Sequence, residues 1–235
     1  MSARTSARVM TYGFAPDATV RAEEVESAGA DGMRFELVAQ GARRPVSIPG
    51  LGRLAVHNAL AAAAVGLASG FPADRVAAAL ALGWSAPHRG GLIRRAGVTI
   101  VDDSYNASPG SMLAALELLA GMPGRRIAVL GEMLELGDGH EEGHERDGAA
   151  APTVVDRLVV VGGEGVGGIV RGARAAGLAA DGLIEARDRA AALAELEAGL
   201  RDGDVVLVKA SRGIELDLLV DDLAAALEGR EGGNA

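Results

Sequence analysis

The chain has 235 residues, a formal net charge of -9 and no cysteine. Without cysteine it forms neither disulfides nor thiolate metal sites, and its acidic balance opposes nonspecific binding of nucleic acid. Hydrophobic residues make up 49% of the chain but aromatic residues only 3%, which predicts an α/β core of alanine, valine and leucine. No apolar run is long enough to span a bilayer, so we expect a cytoplasmic protein that does not insert into membranes.

The first part of the chain has the pattern of a small antiparallel sheet followed by two helices. Short alternating apolar runs, divided by glycine-containing turns, predict strands between Arg8 and Ile48. Alanine-rich apolar segments then predict helices from Leu54 to Ser69 and from Ala73 to Leu82. We assign these elements to a first domain, residues 1–86.

From residue 87 onward, strands and helices alternate. The strands are continuous runs of valine, leucine and isoleucine, which is typical of parallel strands buried on both faces. This pattern predicts a doubly wound, Rossmann-like α/β domain with a mainly parallel sheet at residues 87–229, and a disordered Gly-rich tail at 230–235. Strands are predicted near Ile100 and at Ile127–Leu130, Leu158–Val161 and Val205–Val208; helices are predicted at Met112–Leu119, Glu142–Ala150, Gly168–Ala176, Ala190–Leu200 and Leu216–Leu227.

The segment Asp102–Met112 carries polar side chains where a buried strand passes directly into a helix. Ser108 is the expected N-cap of that helix and Pro109 its first residue. In open α/β sheets, ligands bind at the carboxyl ends of strands, where helix N-termini offer free N–H groups to anions. Asp103 can therefore accept hydrogen bonds from ribose hydroxyls, or it only caps the turn. Asn106 offers a donor and an acceptor to a ligand, or it only satisfies the turn.

A second strand end carries the only lysine of the chain. Lys209, Ser211 and Arg212 follow the predicted strand Val205–Val208 and precede a helix. An ammonium, a hydroxyl and a guanidinium at this place suit an anionic substrate such as a carboxylate, and the alternative is a basic loop without a ligand. Arg89 stands ahead of another strand, where a guanidinium can clamp a phosphate bidentately; the alternative is a solvent-exposed arginine without a ligand.

Two further motifs indicate other chemistry. His140–His144 matches HExxH, which on a helix places two imidazoles for zinc, but Gly139 and Gly143 favour a helix start, and we assign no metal ligand in the chain. Gly163–Gly168 matches GxGxxG after a strand, with Glu185 at a distance suited to a ribose. This fingerprint normally follows the first strand of its domain, whereas here two predicted strand–helix units come before it. A noncatalytic nucleotide- or dinucleotide-binding module is therefore kept only as the alternative function.

Several blocks, in order, resemble the Mur ligase family. The run DDSYNASPGSM at 102–112 is similar to the DDSYNANPDSM signature in the C-terminal domain of these ligases. The resemblance implies that residues 1–86 are the last strands and helices of the central ATP-binding domain and that residues 87–229 are the Rossmann-like C-terminal domain. The other matching blocks are the helix start Gly52–Ala59, Arg89 before a strand, Val129–Gly137, His144 ahead of Gly148, and Val208–Gly213.

The resemblance implies ATP-dependent amide formation in peptidoglycan precursor synthesis. The carboxylate of UDP-N-acetylmuramoyl-tripeptide is phosphorylated by ATP, with Mg2+, and the amine of D-alanyl-D-alanine then displaces phosphate. It also implies a monomer when complete, and the acidic net charge predicts no nucleic-acid partner. By motif position, the resemblance implies a catalytic and phosphate-binding role for Arg89, and nucleotide binding by Asn58, Asp103 and Asn106 together with it. The substrate-binding residues implied are Tyr105, Asn106, Lys209, Ser211 and Arg212.

One feature of the family has no counterpart in these 235 residues. Because Lys209 is the only lysine, there is no GxxxxGK[ST] loop to cradle phosphates and no earlier lysine to be carbamylated beside magnesium. We therefore expect an incomplete chain that is inactive by itself. The phosphate cradle and most magnesium ligands would lie in a missing N-terminal portion, which would be its partner.

Overall fold

The computed structural model describes residues 5–83 and 86–233. The chain forms two compact units, Met1–Ser85 and Ala86–Ala235, so the division lies one residue before the predicted domain boundary. Among the described helices, none combines the length and the apolar character that crossing a bilayer requires.

The first unit contains a four-stranded sheet in the order β1-β2-β3-β4. β2 pairs antiparallel with β3, and β3 with β4, as the alternating pattern predicts. The prediction of a wholly antiparallel sheet is wrong for β1, which pairs parallel with β2 through Tyr12 and Gly13 alone. Because only two residues of β1 pair, the six residues 14–19 are enough to carry the chain back to the start of β2. The strands are β1 (Tyr12–Gly13), β2 (Val20–Ser27), β3 (Met33–Ala39) and β4 (Ala42–Ile48).

The hairpin between β3 and β4 follows from its turn residues. Ala39 pairs with Ala42, so the loop consists of Gln40 and Gly41 alone, both with positive φ (52° and 77°). This is the backbone geometry of a two-residue type I′ turn, whose twist matches that of the strands. Helices α1 (Gly52–Ala68) and α2 (Ala73–Leu82) follow, and they share one core with β2, β3 and β4.

The second unit is a doubly wound α/β domain with a six-stranded sheet in the order β5-β6-β10-β7-β8-β9. β6 to β10 are parallel, and β5 joins the edge antiparallel to β6. This confirms the Rossmann-like prediction. The strands are β5 (Gly91–Arg95), β6 (Val98–Asp102), β7 (Arg126–Gly131), β8 (Arg157–Val161), β9 (Leu183–Ala186) and β10 (Val205–Lys209); the helices are α3 (Pro109–Ala120), α4 (His140–Ala150), α5 (Gly167–Ala175), α6 (Arg189–Gly199) and α7 (Leu216–Gly233).

Two apolar layers cover this sheet. Leu207 of β10 faces the layer that contains α3 and α5, whereas its neighbour Val206 faces the layer that contains α6 and α7. All five residues of β10 are buried, which explains why the central strands have continuous apolar sequences rather than alternating ones.

Three elements differ from the prediction, and one of them is the antiparallel edge strand β5, which was not predicted. The edge strand β9 has only four residues, too few for an apolar run to predict it, and it pairs parallel with β8. Helix α7 continues to Gly233 instead of ending at Leu227, so residues 230–233 are helical where a disordered tail was predicted. Residues 234–235 lie outside the described residues. The predicted start of α3 is confirmed, with Ser108 as the N-cap and Pro109 as the first residue.

Candidate functional site

The candidate site lies at the carboxyl ends of β6 and β10. These strands are neighbours, but the helix after β6 (α3) covers one face of the sheet and the helix after β10 (α7) covers the other. Strands whose following helices diverge in this way leave a crevice at their carboxyl ends, where open α/β sheets bind ligands. We call this place the β6–β10 crevice and define it by residues 102–106 and 209–212.

A hydrogen-bond network that the sequence did not predict braces one side of the crevice. Asp102, the last residue of β6, is buried, and its carboxylate accepts hydrogen bonds from Ser104 Oγ at 2.6 Å and contacts His88 Nδ1 at 2.9 Å. The carbonyl of His88 in turn accepts the Tyr105 N–H at 2.9 Å. His88 has a φ of +59°, an uncommon backbone conformation for a residue with a side chain. These contacts tie the segment before β5 to the turn after β6.

Lys209 and Asp103 form an ion pair across the crevice. Lys209 Nζ donates to Asp103 Oδ2 at 2.6 Å and to the backbone carbonyl of Asn106 at 2.9 Å. The lysine side chain is only 2% exposed, whereas that of Asp103 is 27% exposed. Burial raises the pKa of Asp103, and the ammonium of Lys209 opposes this rise. The pair thus neutralises the lysine charge and holds the 103–106 turn against β10.

Asn106 presents its amide at the surface of this turn. Its Oδ1 accepts the N–H of Ala107 at 2.9 Å. Within residues 5–83 and 86–233, its side-chain NH2 group makes no hydrogen bond, and the residue is exposed. This amide therefore keeps its two donors for a ligand.

Tyr105 brings two arginines together at the mouth of the crevice. The Arg89 Cζ lies 4.0 Å from the centre of the Tyr105 ring, and the Arg212 Cζ lies 4.9 Å from the same point. Both distances fall within the range of cation–π contacts. The ring thus gathers guanidinium groups from the segment before β5 and from the loop after β10.

Ser211 connects this loop to the end of β7. Its N–H donates to the carbonyl of Glu132 at 3.0 Å, and its Oγ accepts the N–H of Leu134 at 2.9 Å. Ser211 is buried, and its two hydrogen bonds to backbone atoms connect the loop after β10 to the loop after β7. Glu132, whose Oε1 lies 2.9 Å from His140 Nε2, is a residue of this edge that the sequence did not single out.

The HExxH motif has a structural explanation. His144 is fully buried; its Nε2 accepts the Met133 N–H at 2.8 Å, and its Nδ1 donates to the carbonyl of His140 at 2.7 Å. Burial lowers the pKa of His144, which favours the neutral imidazole that this pattern requires. Both ring nitrogens are therefore occupied, and neither offers a lone pair to zinc.

Packing also explains two of the three glycines of the GxGxxG run, Gly165 and Gly168. A Cβ placed on Gly168 would lie 2.7 Å from the Cβ of His144, and one on Gly165 would lie 2.3 Å from the Glu132 carboxyl carbon. Glu185, the residue spaced to meet a ribose, forms an ion pair with Arg174 at 2.6 Å. These glycines allow close packing between α5, the turn before it and their neighbours.

Asn58 belongs to the first unit, whereas the other predicted site residues belong to the second. It is exposed on α1, next to His57, whose ring centre lies 5.1 Å from that of Tyr12. The structure gathers Arg89, Asp103, Tyr105, Asn106, Lys209, Ser211 and Arg212 around the β6–β10 crevice.

Comparison with known proteins identifies the family. A family model described as the glutamate ligase domain of Mur ligases matches residues 88–212. This range contains the crevice and all of its predicted residues. The chain therefore belongs to the Mur ligase family.

Individual relatives agree with this assignment. UDP-N-acetylmuramoyl-tripeptide--D-alanyl-D-alanine ligase from Mycobacterium leprae is 45% identical over 186 residues, which cover 72% of this chain and 36% of the relative. The crystal structure of MurF from Acinetobacter baumannii has a TM-score of 0.80 at 28% identity and covers 92% of this chain and 46% of that one. The structure of the MurF ligase from Thermotoga maritima in complex with ADP has a TM-score of 0.76 at 26% identity, with coverages of 92% and 48%. The chain thus spans less than half the length of these relatives.

Proposed function

We propose that this chain supplies one half of the active site of an ATP-dependent ligase that joins D-alanyl-D-alanine to UDP-N-acetylmuramoyl-tripeptide. The observation that carries the proposal is the arrangement of the β6–β10 crevice, where Arg89, Asp103, Asn106 and the Lys209 loop meet at a topological switch point. Two relatives are each named UDP-N-acetylmuramoyl-tripeptide--D-alanyl-D-alanine ligase, and this name supports the choice of substrates.

The crevice suits a nucleotide. Asp103 retains partly exposed carboxylate surface that can accept hydrogen bonds from ribose hydroxyls, and the Asn106 amide keeps its donors free within the described residues. Arg89 is exposed beside them and can bind phosphate oxygens. ATP supplies the phosphoryl group that activates the tripeptide carboxylate. The guanidinium of Arg89 offsets the negative charge that develops during that transfer.

Lys209 acts in this proposal by holding other groups in position. Two of its three N–H donors are used by Asp103 and by the Asn106 carbonyl, so the lysine fixes the turn that meets the nucleotide. The predicted contacts of Tyr105, Lys209, Ser211 and Arg212 with substrate stay predictions, as does the nucleotide contact of Asn58.

The remaining groups that the reaction needs are assigned to another part of the ligase. Within the described ranges, no three His, Cys, Asp or Glu side chains form a group that could hold a metal ion, and we assign most of the Mg2+ ligands to the missing N-terminal portion. The phosphate cradle is assigned in the same way, since the sequence has no GxxxxGK[ST] loop. We propose a cytoplasmic enzyme, because ATP is a cytoplasmic substrate, and a monomer when complete, as the resemblance to the family implies.

A chimera tests this function. In the Mycobacterium leprae ligase, the segment that matches this chain is replaced by the corresponding residues of this chain, and ADP release is measured with both substrates. We expect release that requires the tripeptide precursor and D-alanyl-D-alanine together. Arg89→Gln in the chimera should lower kcat by about 100-fold or more, because a charge-stabilising group at the transferred phosphoryl is lost.

Two controls define the outcome. Arg171→Gln removes an arginine that is paired with Glu141 away from the crevice, and it should leave kcat unchanged. The 235-residue chain alone should release no ADP. A folded chimera without substrate-dependent ADP release would contradict the proposed function.

A further inference from the structure

The contact of Tyr105 with two arginines is the feature that the proposed function leaves unexplained. Both guanidinium carbons lie within 5 Å of one ring centre, so the two carbons are at most about 9 Å apart. At separations of up to about 9 Å, two exposed cations repel each other weakly. The electron-rich ring offsets part of this repulsion, and an anion that contacts both groups would offset the rest.

Neither arginine forms an ion pair in the described parts of the chain, although the carboxylate of Asp103 lies near enough to Arg89 to interact with it electrostatically. No carboxylate within residues 5–83 and 86–233 lies within ion-pairing distance of Arg89 or Arg212, and both side chains are exposed. Other arginines of the same unit behave differently: Arg125 pairs with Asp204 at 2.6 Å, and Arg174 pairs with Glu185 at 2.6 Å. The guanidiniums on Tyr105 thus keep their donors available.

The nearby lysine does not compete for this role. Lys209 is buried and neutralised by Asp103, so the positive charge at the mouth of the crevice comes from the two arginines. A phosphate group carries more negative charge and more acceptor oxygens than a carboxylate, and the planar fork of each guanidinium matches phosphate oxygens bidentately. Two such forks fit a phosphate better than the single charge of a peptide carboxylate.

We infer that Tyr105 is a positioning residue that holds Arg89 and Arg212 as one two-pronged site for the polyphosphate of a nucleotide. This inference rests on the proposed function for the identity of the nucleotide, and it moves Arg212 from the peptide substrate to the phosphate. The hydroxyl of Tyr105 has no part in it, because the aromatic ring alone makes both contacts.

Inorganic tripolyphosphate is the probe that tests the site in the 235-residue chain. Its binding is measured calorimetrically at low ionic strength, where exposed charges are least screened. Arg89→Gln and Arg212→Gln should each weaken binding by about tenfold or more, as expected for loss of a charged hydrogen-bonding group. Tyr105→Phe keeps the ring and should bind as the unsubstituted chain does, whereas Tyr105→Leu should weaken binding by a similar factor to either single arginine change.

A background variant separates positioning from a general structural role. If Tyr105 acts through the arginines, Tyr105→Leu has no further effect in the Arg89→Gln/Arg212→Gln double variant. Tyr12→Leu replaces the only other tyrosine of the chain and should leave tripolyphosphate binding unchanged. Thermal unfolding of each variant verifies that it is folded.

The possible outcomes distinguish this inference from the proposed function. Undetectable tripolyphosphate binding by the unsubstituted chain, unchanged binding by folded Tyr105→Leu, or Arg212-dependent binding of D-alanyl-D-alanine without tripolyphosphate binding would each overturn the inference. Tyr105-dependent tripolyphosphate binding by a chain whose chimera releases no ADP would support the inference and contradict the proposed function.

Discussion

At the residue scale, two buried charged side chains have opposite surroundings. Lys209 donates to a carboxylate and to a backbone carbonyl, which satisfies an ammonium that would otherwise be costly to bury. Asp147 on α4 is fully buried, and within the described residues neither of its carboxylate oxygens has a hydrogen-bond partner. Arg146 Nε, at 3.7 Å, is the nearest cationic atom. Burial therefore raises the pKa of Asp147 to about 7.

This environment predicts an unusual dependence of stability on pH. Between the ordinary value of 3.8 and the raised pKa of about 7, the folded chain binds more protons at Asp147 than the unfolded chain does, so this residue lowers stability as pH rises. His144 acts in the opposite direction: burial lowers its pKa below 6.5, so its contribution is lost as pH falls through that range. The two effects partly cancel in the unsubstituted chain.

Asp147→Asn isolates the aspartate contribution. The free energy of unfolding of the unsubstituted chain, relative to the variant, should be about 2 kcal/mol higher at pH 5 than at pH 8. Over this interval the buried side chain of Asp147 becomes charged in the folded chain, whereas the asparagine of the variant stays neutral. Urea unfolding at both pH values measures this difference. Asp138→Asn, at an exposed position, is the matched control and should show no such trend. A parallel pH dependence of the unsubstituted chain and Asp147→Asn would contradict the prediction.

At the element scale, helices α4 and α5 cross at backbone contact distance. A Cβ on Gly172 would lie 2.0 Å from the carbonyl oxygen of Glu145, and one on Gly148 would lie 2.1 Å from that of Ile169. Because the atoms in the way belong to the backbone, a larger residue cannot be accommodated by rotation of a side chain. The glycine-rich sequence of this region thus reflects the spacing between two helices.

Gly172→Ala tests this packing. The extra methyl group should separate the helices and lower the free energy of unfolding by about 1 to 3 kcal/mol. Gly229→Ala in α7 is the matched control, since a Cβ there has no atom within 4 Å; it should leave stability unchanged or raise it by up to about 1 kcal/mol. Equal midpoints of thermal unfolding for the two variants would show that the helices are not in such close contact.

At the scale of the whole molecule, each unit has its own hydrophobic core. The core of the first unit contains residues of α1, α2 and three strands, and it shares no residue with the two layers that cover the sheet of the second unit. A substitution that destabilises one core should therefore leave the stability of the other unit unchanged. Leu60 on α1 and Leu116 on α3 are equally suited to test this, since they are 0% and 2% exposed.

Leu60→Ala and Leu116→Ala form a matched pair. Each should lower the local free energy of opening by about 2 to 5 kcal/mol, because a cavity replaces a buried side chain. Hydrogen exchange followed by mass spectrometry should show faster exchange at 20–82 in the first variant and at 98–227 in the second. Equal acceleration in both segments of either variant would mean that the chain unfolds as one cooperative unit.

Much of the fold was predictable because it depends on local sequence. Apolar runs and capping residues identified α1, α2, the buried strands and the start of α3 at Ser108, since each depends on neighbours within a few residues. The four-residue β9 was not predictable, because its pairing with β8 depends on residues more than twenty positions away. The prediction that α7 ends at Leu227 was wrong because glycines near a helix end weaken the helix signal without preventing the helix.

The sequence by itself determined the parallel α/β domain and the family, because apolar runs and the spacing of polar residues from strand ends are local properties of the chain. Only the tertiary structure decided that β10 lies between β6 and β7. This placement brings Lys209 to Asp103 and Arg212 to Tyr105 across more than a hundred residues of chain. Sheet order depends on the packing of both layers at once, and no local pattern records it.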